Sequence, residues 1–432
     1  MKNCLFLMSV LAAGLAFSAN DSGYSISRIS AIQRWPWDNK VDIRFWLDQG
    51  MEKNAIWYGA EVDVAVTVGG VTTPIAASSL DKTTVCGEGF HTLVWTPTAE
   101  FTSRVLEGAS FAVTIRRAPV KAAYLTVDLT TGTKEYFGPE FAVAVTNGTV
   151  YKSKKMAFRR CPATTSDEWK AISGGNDYFV MGTSDPNDEV MKPRNAAAVN
   201  VRLTKDFWLG VFPVTWGQWK ALGFEKSTAA WNQSYKGNDY YIAMGIAYAQ
   251  TRGEDNGMYC FPASRAVDPD SYMGRMRTLT RGLPFDLPTE AQMEYAIRAG
   301  TTSKWYWGEN LKGDLPRGSW EVGLGSRGVP PNAWGFYDIS DAAEQWTTTL
   351  GKDANVAYYP HVAGDDPEGE TPTWSPRMRV TRGTNCCAGN AAYAQAAFRY
   401  PQTSFGGTAA ELQFTGFRVC LVLPDEPSAS GK

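Results

Sequence analysis

Short runs that alternate apolar and polar residues fill the first third of the chain, and they predict β-strands, whose successive side chains point to opposite faces. Clusters rich in Gly, Pro, Asn and Asp separate the runs, such as Asp48-Gln49-Gly50 and Val68-Gly69-Gly70. Seven such runs predict an antiparallel β-sandwich over residues 24–147. They cover residues 25–32, 41–47, 61–68, 91–95, 110–116, 122–129 and 141–145.

A polar linker around residues 147–155 leads to a region with a different pattern. Helical periodicity occurs there only in short stretches, and long segments rich in Gly, Pro and aromatic residues separate them. The predicted helices are residues 216–222, 240–251, 270–280 and 289–299. The fold class predicted from these patterns is α+β, with a strand-rich domain followed by a loop-rich domain over residues 155–423 and a tail over 424–432.

The last of these helices has the clearest signals. Thr289 offers a side-chain oxygen to the amides of the first turn, as a helix N-cap does. Ala291, Tyr295 and Ala299 recur on one face and predict packing against an apolar partner. Gly300 is predicted to cap the C-terminus.

The first residues have the pattern of an export signal. Lys2 precedes an apolar run over residues 5–16, and small residues near Ser18 and Ala19 permit cleavage. We therefore predict a cleaved signal peptide over residues 1–19 and a secreted or periplasmic protein. No later apolar run reaches the length of a transmembrane helix.

Composition excludes several classes of function. A formal net charge of −2 gives no electrostatic reason to bind nucleic acid. The two histidines, His91 and His361, are too few for a three-histidine iron site, and nothing supports a Ser-His-Asp triad. The cysteines after the signal are Cys86, Cys161, Cys260, Cys386, Cys387 and Cys420, an even number that permits disulfides in an exported chain.

The segment Leu287-Pro288-Thr289-Glu290-Ala291-Gln292-Met293-Glu294-Tyr295-Ala296 resembles a signature of the formylglycine-generating enzyme, or sulfatase-modifying factor, family. Other landmarks follow in the family's order, at residues 179–183, 207–215, 307–309, 331–340, 382–383 and 416–419. This resemblance implies a compact variant of the C-type lectin fold for the second domain.

The resemblance also locates a candidate catalytic pair. Active family members place two cysteines four residues apart, which bind copper(I) and oxidise a substrate cysteine. Here Cys386 and Cys387 are adjacent, so in an extended segment their thiols point to opposite faces. We predict that the pair is degenerate and is held in a vicinal disulfide or in separate bridges to Cys260 and Cys420. Only in an active enzyme would these two cysteines be catalytic, with copper as cofactor.

A calcium segment implied by the resemblance is altered as well. Its candidate ligands here are Asp338, Asp341 and Gln345, and the carboxamide in place of a glutamate predicts a weakened calcium site. A solvated acidic turn is the alternative. Asp286 also stands where the family signature has an arginine.

The chain keeps the motifs that resemble the family's scaffold but lacks the family's spacing of the two cysteines. Together with the signal peptide, this predicts an exported binding protein. Its ligand would be a protein, a peptide or a glycan, held by loops near the C-terminus. The candidate binding residues are Trp334, Asn385, Asn390, Tyr393, Arg399 and Tyr400. The alternatives are a copper-dependent formylglycine-generating oxidase that acts on a sulfatase cysteine, and a structural envelope or adhesion protein. The first domain is interpreted as an adhesion or spacer module, or as a carbohydrate-binding module with exposed tryptophans.

Overall fold

The structure is a computed structural model that describes fourteen segments of the chain. These are residues 23–34, 38–50, 57–98, 101, 105–185, 188–225, 238–253, 267–309, 321–323, 329–351, 360–368, 378–384, 391–403 and 414–423. The chain divides into two compact units. One comprises Met1–Leu125 with Glu135–Val145, and the other comprises Thr126–Lys134 with Thr146–Lys432.

The first unit contains two antiparallel sheets. Its strands are β1 (Ser25–Gln33), β2 (Val41–Asp48), β3 (Tyr58–Val68), β4 (Val71–Ile75), β5 (Thr84–Cys86), β6 (Gly89–Trp95) and β7 (Ser110–Lys121). One sheet has the order β1-β2-β6, and in the other β3 pairs with β4, β5 and β7. Both sheets contribute to one buried apolar cluster, for example through Phe45 of β2 and Val64 of β3. The alternation read from the sequence is confirmed in β2, where every second residue is buried.

The prediction of a strand at residues 141–145 is wrong. Residues 141–145 fall in a 3-10 turn, Pro139–Phe141, and in helix α1 (Ala142–Asn147). Pro139 fixes a helix-compatible φ at the first position of the turn. The ring of Phe141 stacks on that of Phe137, with centroids 3.8 Å apart. Before this turn lie strands β8 (Tyr124–Asp128) and β9 (Lys134–Phe137).

The second unit combines short strands with short helices, which confirms its predicted mixed character. Its further strands are β10 (Lys155–Cys161), β11 (Phe179–Met181), β12 (Val199–Arg202), β13 (Phe207–Gly210), β14 (Phe285–Asp286), β15 (Glu344–Leu350), β16 (Gly364–Asp365), β17 (Met378–Arg382), β18 (Arg399–Thr403), β19 (Thr415–Gly416) and β20 (Cys420–Val422). Its helices are α2 (Asp167–Ser173), α3 (Trp216–Ala221), α4 (Tyr248–Arg252), α5 (Tyr272–Leu279) and α6 (Glu290–Arg298). Among the residues just enumerated, no helix is long and apolar enough to cross a membrane.

Three sheets organise the second unit. One includes the strands β14-β20-β13-β10-β8 in that order, another has the order β11-β12-β16 and the third has the order β18-β17-β15-β19. In the third sheet β19 runs parallel to β15, and the other pairs are antiparallel. This third sheet supports the candidate site.

The predicted helix 240–251 is shorter than expected, since α4 begins only at Tyr248. Upstream of it, Tyr241 and Ile242 form isolated β-bridges with Glu321 and Thr215. Long-range pairing of an extended backbone therefore overrides the local helical pattern there. Helix α2 was not predicted, although Ser166 caps it by accepting the amide of Trp169.

Helix α6 forms as its sequence predicts. The Thr289 hydroxyl accepts the Gln292 amide at 3.1 Å, and the Gln292 side chain accepts the Thr289 amide at 2.9 Å. Tyr295 is fully buried and donates its hydroxyl hydrogen bond to the carbonyl of Pro162 at 2.8 Å. The predicted C-cap at Gly300 is corrected by one residue, because Ala299 takes the left-handed cap position with φ 45°.

Candidate functional site

The sheet β18-β17-β15-β19 aligns residues from several signature motifs in one row. Arg399 pairs with Arg382, Arg382 with Gln345, and Gln345 with Gly416. Two arginines in directly opposite positions repel each other across a strand pair. The row therefore requires negative charge from another element.

Helix α6 supplies that charge. Arg399 Nη2 donates to Glu290 Oε2 at 2.6 Å, and Arg382 Nε lies 3.3 Å from Glu290 Oε1. Arg382 Nη2 also donates to Glu294 one turn further along the helix. All four side chains are buried. Burial by itself raises the pKa of Glu290, but Arg399 and Arg382 outweigh it and hold that pKa below its ordinary value.

The same helix fixes a glycine turn of the motif at residues 179–183. Glu294 Oε1 accepts the amide of Gly182 at 2.7 Å, and Arg298 donates to the Gly182 carbonyl at 2.7 Å. Gly182 has φ 92°, and a Cβ built there would lie 2.5 Å from the carbonyl oxygen of Ala197. Glycine is therefore required where the turn passes beneath α6.

His361, which lies in a loop, also contacts the cluster formed by Glu290, Glu294, Arg382 and Arg399. Its Nε2 lies 3.6 Å from Glu290 Oε1, and its Nδ1 lies 3.1 Å from the carbonyl oxygen of Ala197. The sequence patterns do not bring these residues together. The available signal was Glu290, Glu294 and Arg298 recurring at every fourth position of a helix that buries nearly its whole surface.

A second buried network lies at the predicted calcium segment. Arg418 Nε donates to Gln345 Oε1 at 2.7 Å, and its other nitrogens donate to main-chain carbonyls, including those of Gly210 at 2.8 Å and Tyr337. The amide of Gln345 donates to the carbonyl of Ile339 at 3.0 Å. Both ends of the Gln345 side chain are thus engaged.

The surroundings of the candidate ligands Asp338, Asp341 and Gln345 decide whether they suit a calcium ion. Burial lowers the pKa of Arg418 to about 9, and the neighbouring carboxylates of Asp338 and Asp341 oppose that drop. Asp338 Oδ2 accepts the amide of Gly323 at 2.8 Å. A buried guanidinium beside both carboxylates, with the Gln345 oxygen already bound, does not fit a calcium ion in this arrangement. Among the described residues, no three His, Cys, Asp or Glu side chains converge as metal ligands.

Asp286, which replaces the signature arginine, forms a third buried pair. Its carboxylate accepts from Arg252 Nε at 2.5 Å and from Arg252 Nη2 at 2.9 Å. Arg277 lies 3.4 Å from the same carboxylate. The bidentate geometry and full burial of Arg252 indicate a structural pair.

The predicted binding residues do not share one environment. Trp334 is half-buried, with its ring 5.0 Å from that of Tyr295 and 6.4 Å from that of Trp169. Arg399 is buried against Glu290, as described. Tyr400, the next residue in β18, is 41% exposed.

Tyr393 is half-buried beside Phe398, at 5.1 Å between ring centroids. The guanidinium of Arg194 lies 4.7 Å from the Phe398 ring centroid. Asn385 and Asn390 lie outside the described residues. The binding roles of all these residues stay predictions.

Cys386 and Cys387, the candidate catalytic pair, lie outside the described residues, as does Cys260. Cys420 carries a thiol rather than a disulfide and is 2% exposed in β20. Its sulfur lies 3.8 Å from Gln292 Oε1. The predicted bridge to Cys420 is thus corrected, because this side chain is enclosed in the apolar core around α6.

Parts of the chain are similar to known proteins. The family model described as the sulfatase-modifying factor enzyme 1-like domain matches residues 154–422, which confirms the resemblance read from the motifs. A formylglycine-generating enzyme from Mycobacterium tuberculosis is 35% identical over 97 residues. That match spans 19% of this chain and only 30% of the relative's length.

Two solved structures are similar in part. PvdO from Pseudomonas aeruginosa gives a TM-score of 0.44 at 18% identity, over 62% of this chain and 94% of that one. The Major Tropism Determinant M1 variant gives a TM-score of 0.28 at 11% identity, over 94% of this chain and 85% of that one.

Proposed function

The chain belongs to the sulfatase-modifying factor enzyme family over residues 154–422, and from this premise we propose that it is an exported binding protein of that family. Its ligand is a protein, a peptide or a glycan that contacts the C-terminal loops together with Tyr393 and with Tyr400 of β18. In this proposal the first unit is a β-sandwich, and the second is a variant of the C-type lectin fold.

One observation carries the proposal: the polar side chains of the signature motifs are engaged in holding the fold together. The carboxylates of α6 neutralise Arg382 and Arg399, and Gln345 is bound by Arg418. Groups paired in this way in the interior stabilise a frame, and they are not available to bind a metal or transfer a proton. These buried groups therefore serve the fold, and the candidate reactive cysteines, Cys386 and Cys387, lie outside the described residues.

The sequence of the cysteine pair supports the same conclusion. A linear copper(I)–dithiolate site needs two thiolates that converge on one ion. Cys386 and Cys387 are consecutive, and consecutive side chains of an extended segment diverge. An oxidising compartment outside the cell would also favour disulfides over a copper-thiolate site.

Aromatic residues and an arginine lie together near β18, as they do in many contact surfaces. Tyr393 and Arg194, both half-buried, cover the ring of Phe398, which is itself buried. Tyr400 lies in the adjoining strand β18 and is 41% exposed. Tyrosine and arginine beside small residues provide rigid contact area at low entropic cost.

A second candidate is a copper-dependent formylglycine-generating oxidase that acts on a sulfatase cysteine. The similarity to the mycobacterial formylglycine-generating enzyme favours it. It requires Cys386 and Cys387 to bind one copper(I) ion together. A third candidate, a structural envelope or adhesion protein, requires tight self-association of the purified chain.

A thiol count with disulfide mapping on secreted protein separates the first two candidates, followed by a copper(I) titration. We expect Cys386 and Cys387 to be oxidised and copper(I) to bind no more tightly to the wild type than to Cys387→Ser. Cys86→Ser, in the first unit, is the matched control. Conversion of a Cys-x-Pro-x-Arg peptide to formylglycine, lost in Cys387→Ser but kept in Cys86→Ser, would establish the oxidase.

A glycan array and a displayed peptide library provide the positive test. We expect a ligand selected by either probe to bind Tyr400→Ala about tenfold or more weakly than the wild type, as for an exposed aromatic anchor. Tyr178→Ala, a half-buried tyrosine in the same unit, should leave the affinity unchanged. Equal affinity of both variants would remove the C-terminal surface from the proposal.

A further inference from the structure

The outer face of the sheet β1-β2-β6 carries two arginines and two aromatic rings that form one contiguous group. Trp46 of β2 lies opposite Phe90 of β6, and their rings meet edge to face at 5.1 Å. Arg44 places its guanidinium 4.3 Å from the Phe90 ring centroid. Arg28 of β1 lies 5.3 Å from the Trp46 ring centroid. We call these four side chains the aromatic–arginine patch.

The backbone of β1 is distorted where it contributes to the patch. The register with β2 shifts between Ser27 and Ser30, and Arg28 has φ 56°. A bulge of this kind re-aims a side chain, and a non-glycine residue in the left-handed region is strained. Strain of this kind persists at positions where the displaced side chain is used. Here it places a cation over Trp46.

The charge of the patch is not neutralised within the described part of the first unit. There, neither Arg28 nor Arg44 forms an ion pair or a hydrogen bond through its side chain. Asp42, on the same face of β2, is bound by Arg34 through hydrogen bonds of 2.6 and 3.1 Å. Phe90 is 45% exposed. The patch thus presents cations and apolar rings to solvent together.

We infer that the aromatic–arginine patch binds an acidic polysaccharide, a polymer whose pyranose rings carry carboxylate or sulfate groups. The C–H face of a pyranose packs on an aromatic ring, and a guanidinium binds a carboxylate or sulfate with paired hydrogen bonds. Arg44 and Trp46 are two residues apart on one face, about 7 Å along the strand. Such a spacing of cation and ring suits a polymer that alternates apolar faces and anions.

An acidic peptide fits this surface less well. Its carboxylates would satisfy Arg28 and Arg44, but its flexible side chains offer no flat apolar face to Phe90 and Trp46. The rings therefore favour the polysaccharide, and poly-glutamate becomes a necessary control probe.

Calorimetric titration of the full chain with defined polymers tests the inference. We expect binding to polygalacturonate or to dextran sulfate, no binding to neutral dextran and weaker binding to poly-glutamate. The two acidic polymers distinguish a carboxylate ligand from a sulfate ligand. Arg44→Gln and Phe90→Leu should each weaken binding by about fivefold or more.

Two further variants separate binding from folding and from general ion exchange. Arg28→Gly relieves the strained backbone while it removes the guanidinium, so it should weaken binding and leave the unfolding temperature unchanged or higher. Arg116→Gln removes an exposed arginine of β7, on the other sheet, and should bind like the wild type. Absence of binding to both acidic polymers, equal binding of poly-glutamate, or equal losses in Arg116→Gln and Arg44→Gln would each overturn the inference.

Discussion

Arg382 of β17 lies directly opposite Arg399 of β18, and both guanidinium groups contact the same carboxylate, Glu290 of α6. Like charges in opposite positions destabilise a strand pair unless an anion lies between them. Glu290 therefore joins two strands whose arginines would repel each other. The third sheet of the second unit depends on helix α6 as well as on its own backbone pairing.

Substitution of this carboxylate should be severe. Glu290→Gln leaves Arg382 and Arg399 buried beside a neutral side chain, and we expect it to lower the free energy of unfolding by about 3–5 kcal/mol. Urea denaturation followed by circular dichroism measures the change. Glu189→Gln, an exposed site in the same unit, should stay within about 0.5 kcal/mol of the wild type. Similar losses in both variants would contradict the role assigned to Glu290.

The cluster also predicts how stability depends on pH. The pKa values of Glu290 and Glu294 lie below their ordinary value of 4.5, because the arginines outweigh burial. A carboxyl group with a depressed folded pKa contributes stability above its unfolded pKa and loses it as pH falls towards the folded value. We therefore expect the free energy of unfolding to decline progressively below about pH 4.5. The decline should be shallower in Glu290→Gln, and equal slopes in the two proteins would contradict the prediction.

Local patterns predicted the local features well. Alternation located β2, and the Thr289 cap located α6 within one residue, because both depend on neighbours in sequence. The buried ion cluster was missed because its partners are far apart in sequence, as with Glu290 and Arg399, which are 109 residues apart. Arg399 was interpreted from its sequence neighbours as a surface contact, whereas only the fold brings it to Glu290.

The pair formed by Asp286 and Arg252 offers a sharper energetic test. Asp286→Asn removes the carboxylate that binds the fully buried Arg252 at two nitrogens, so we expect a loss of about 3–5 kcal/mol in the free energy of unfolding. Replacing both partners, as Asp286→Leu with Arg252→Met, should recover most of that loss, since the fully buried ion pair is then replaced by apolar side chains. Thermal unfolding of the single and double variants measures the coupling. Additive losses in the double variant would show that packing, not charge, dominates this site.

Arg418 lies among the three candidate calcium ligands that the family resemblance implies, Asp338, Asp341 and Gln345. Its guanidinium donates to Gln345 and lies near the carboxylates of Asp338 and Asp341, so a second cation there would be repelled. We expect the unfolding temperature to be the same in millimolar calcium and in excess chelator, since a ligand stabilises only the state it binds. Arg418→Met should destabilise the chain by about 3–5 kcal/mol, because it removes a fully buried guanidinium that donates to Gln345 and to the carbonyls of Gly210 and Tyr337. A calcium-dependent rise in the unfolding temperature of the wild type, absent in Asp338→Asn, would instead establish an ion site beside Arg418.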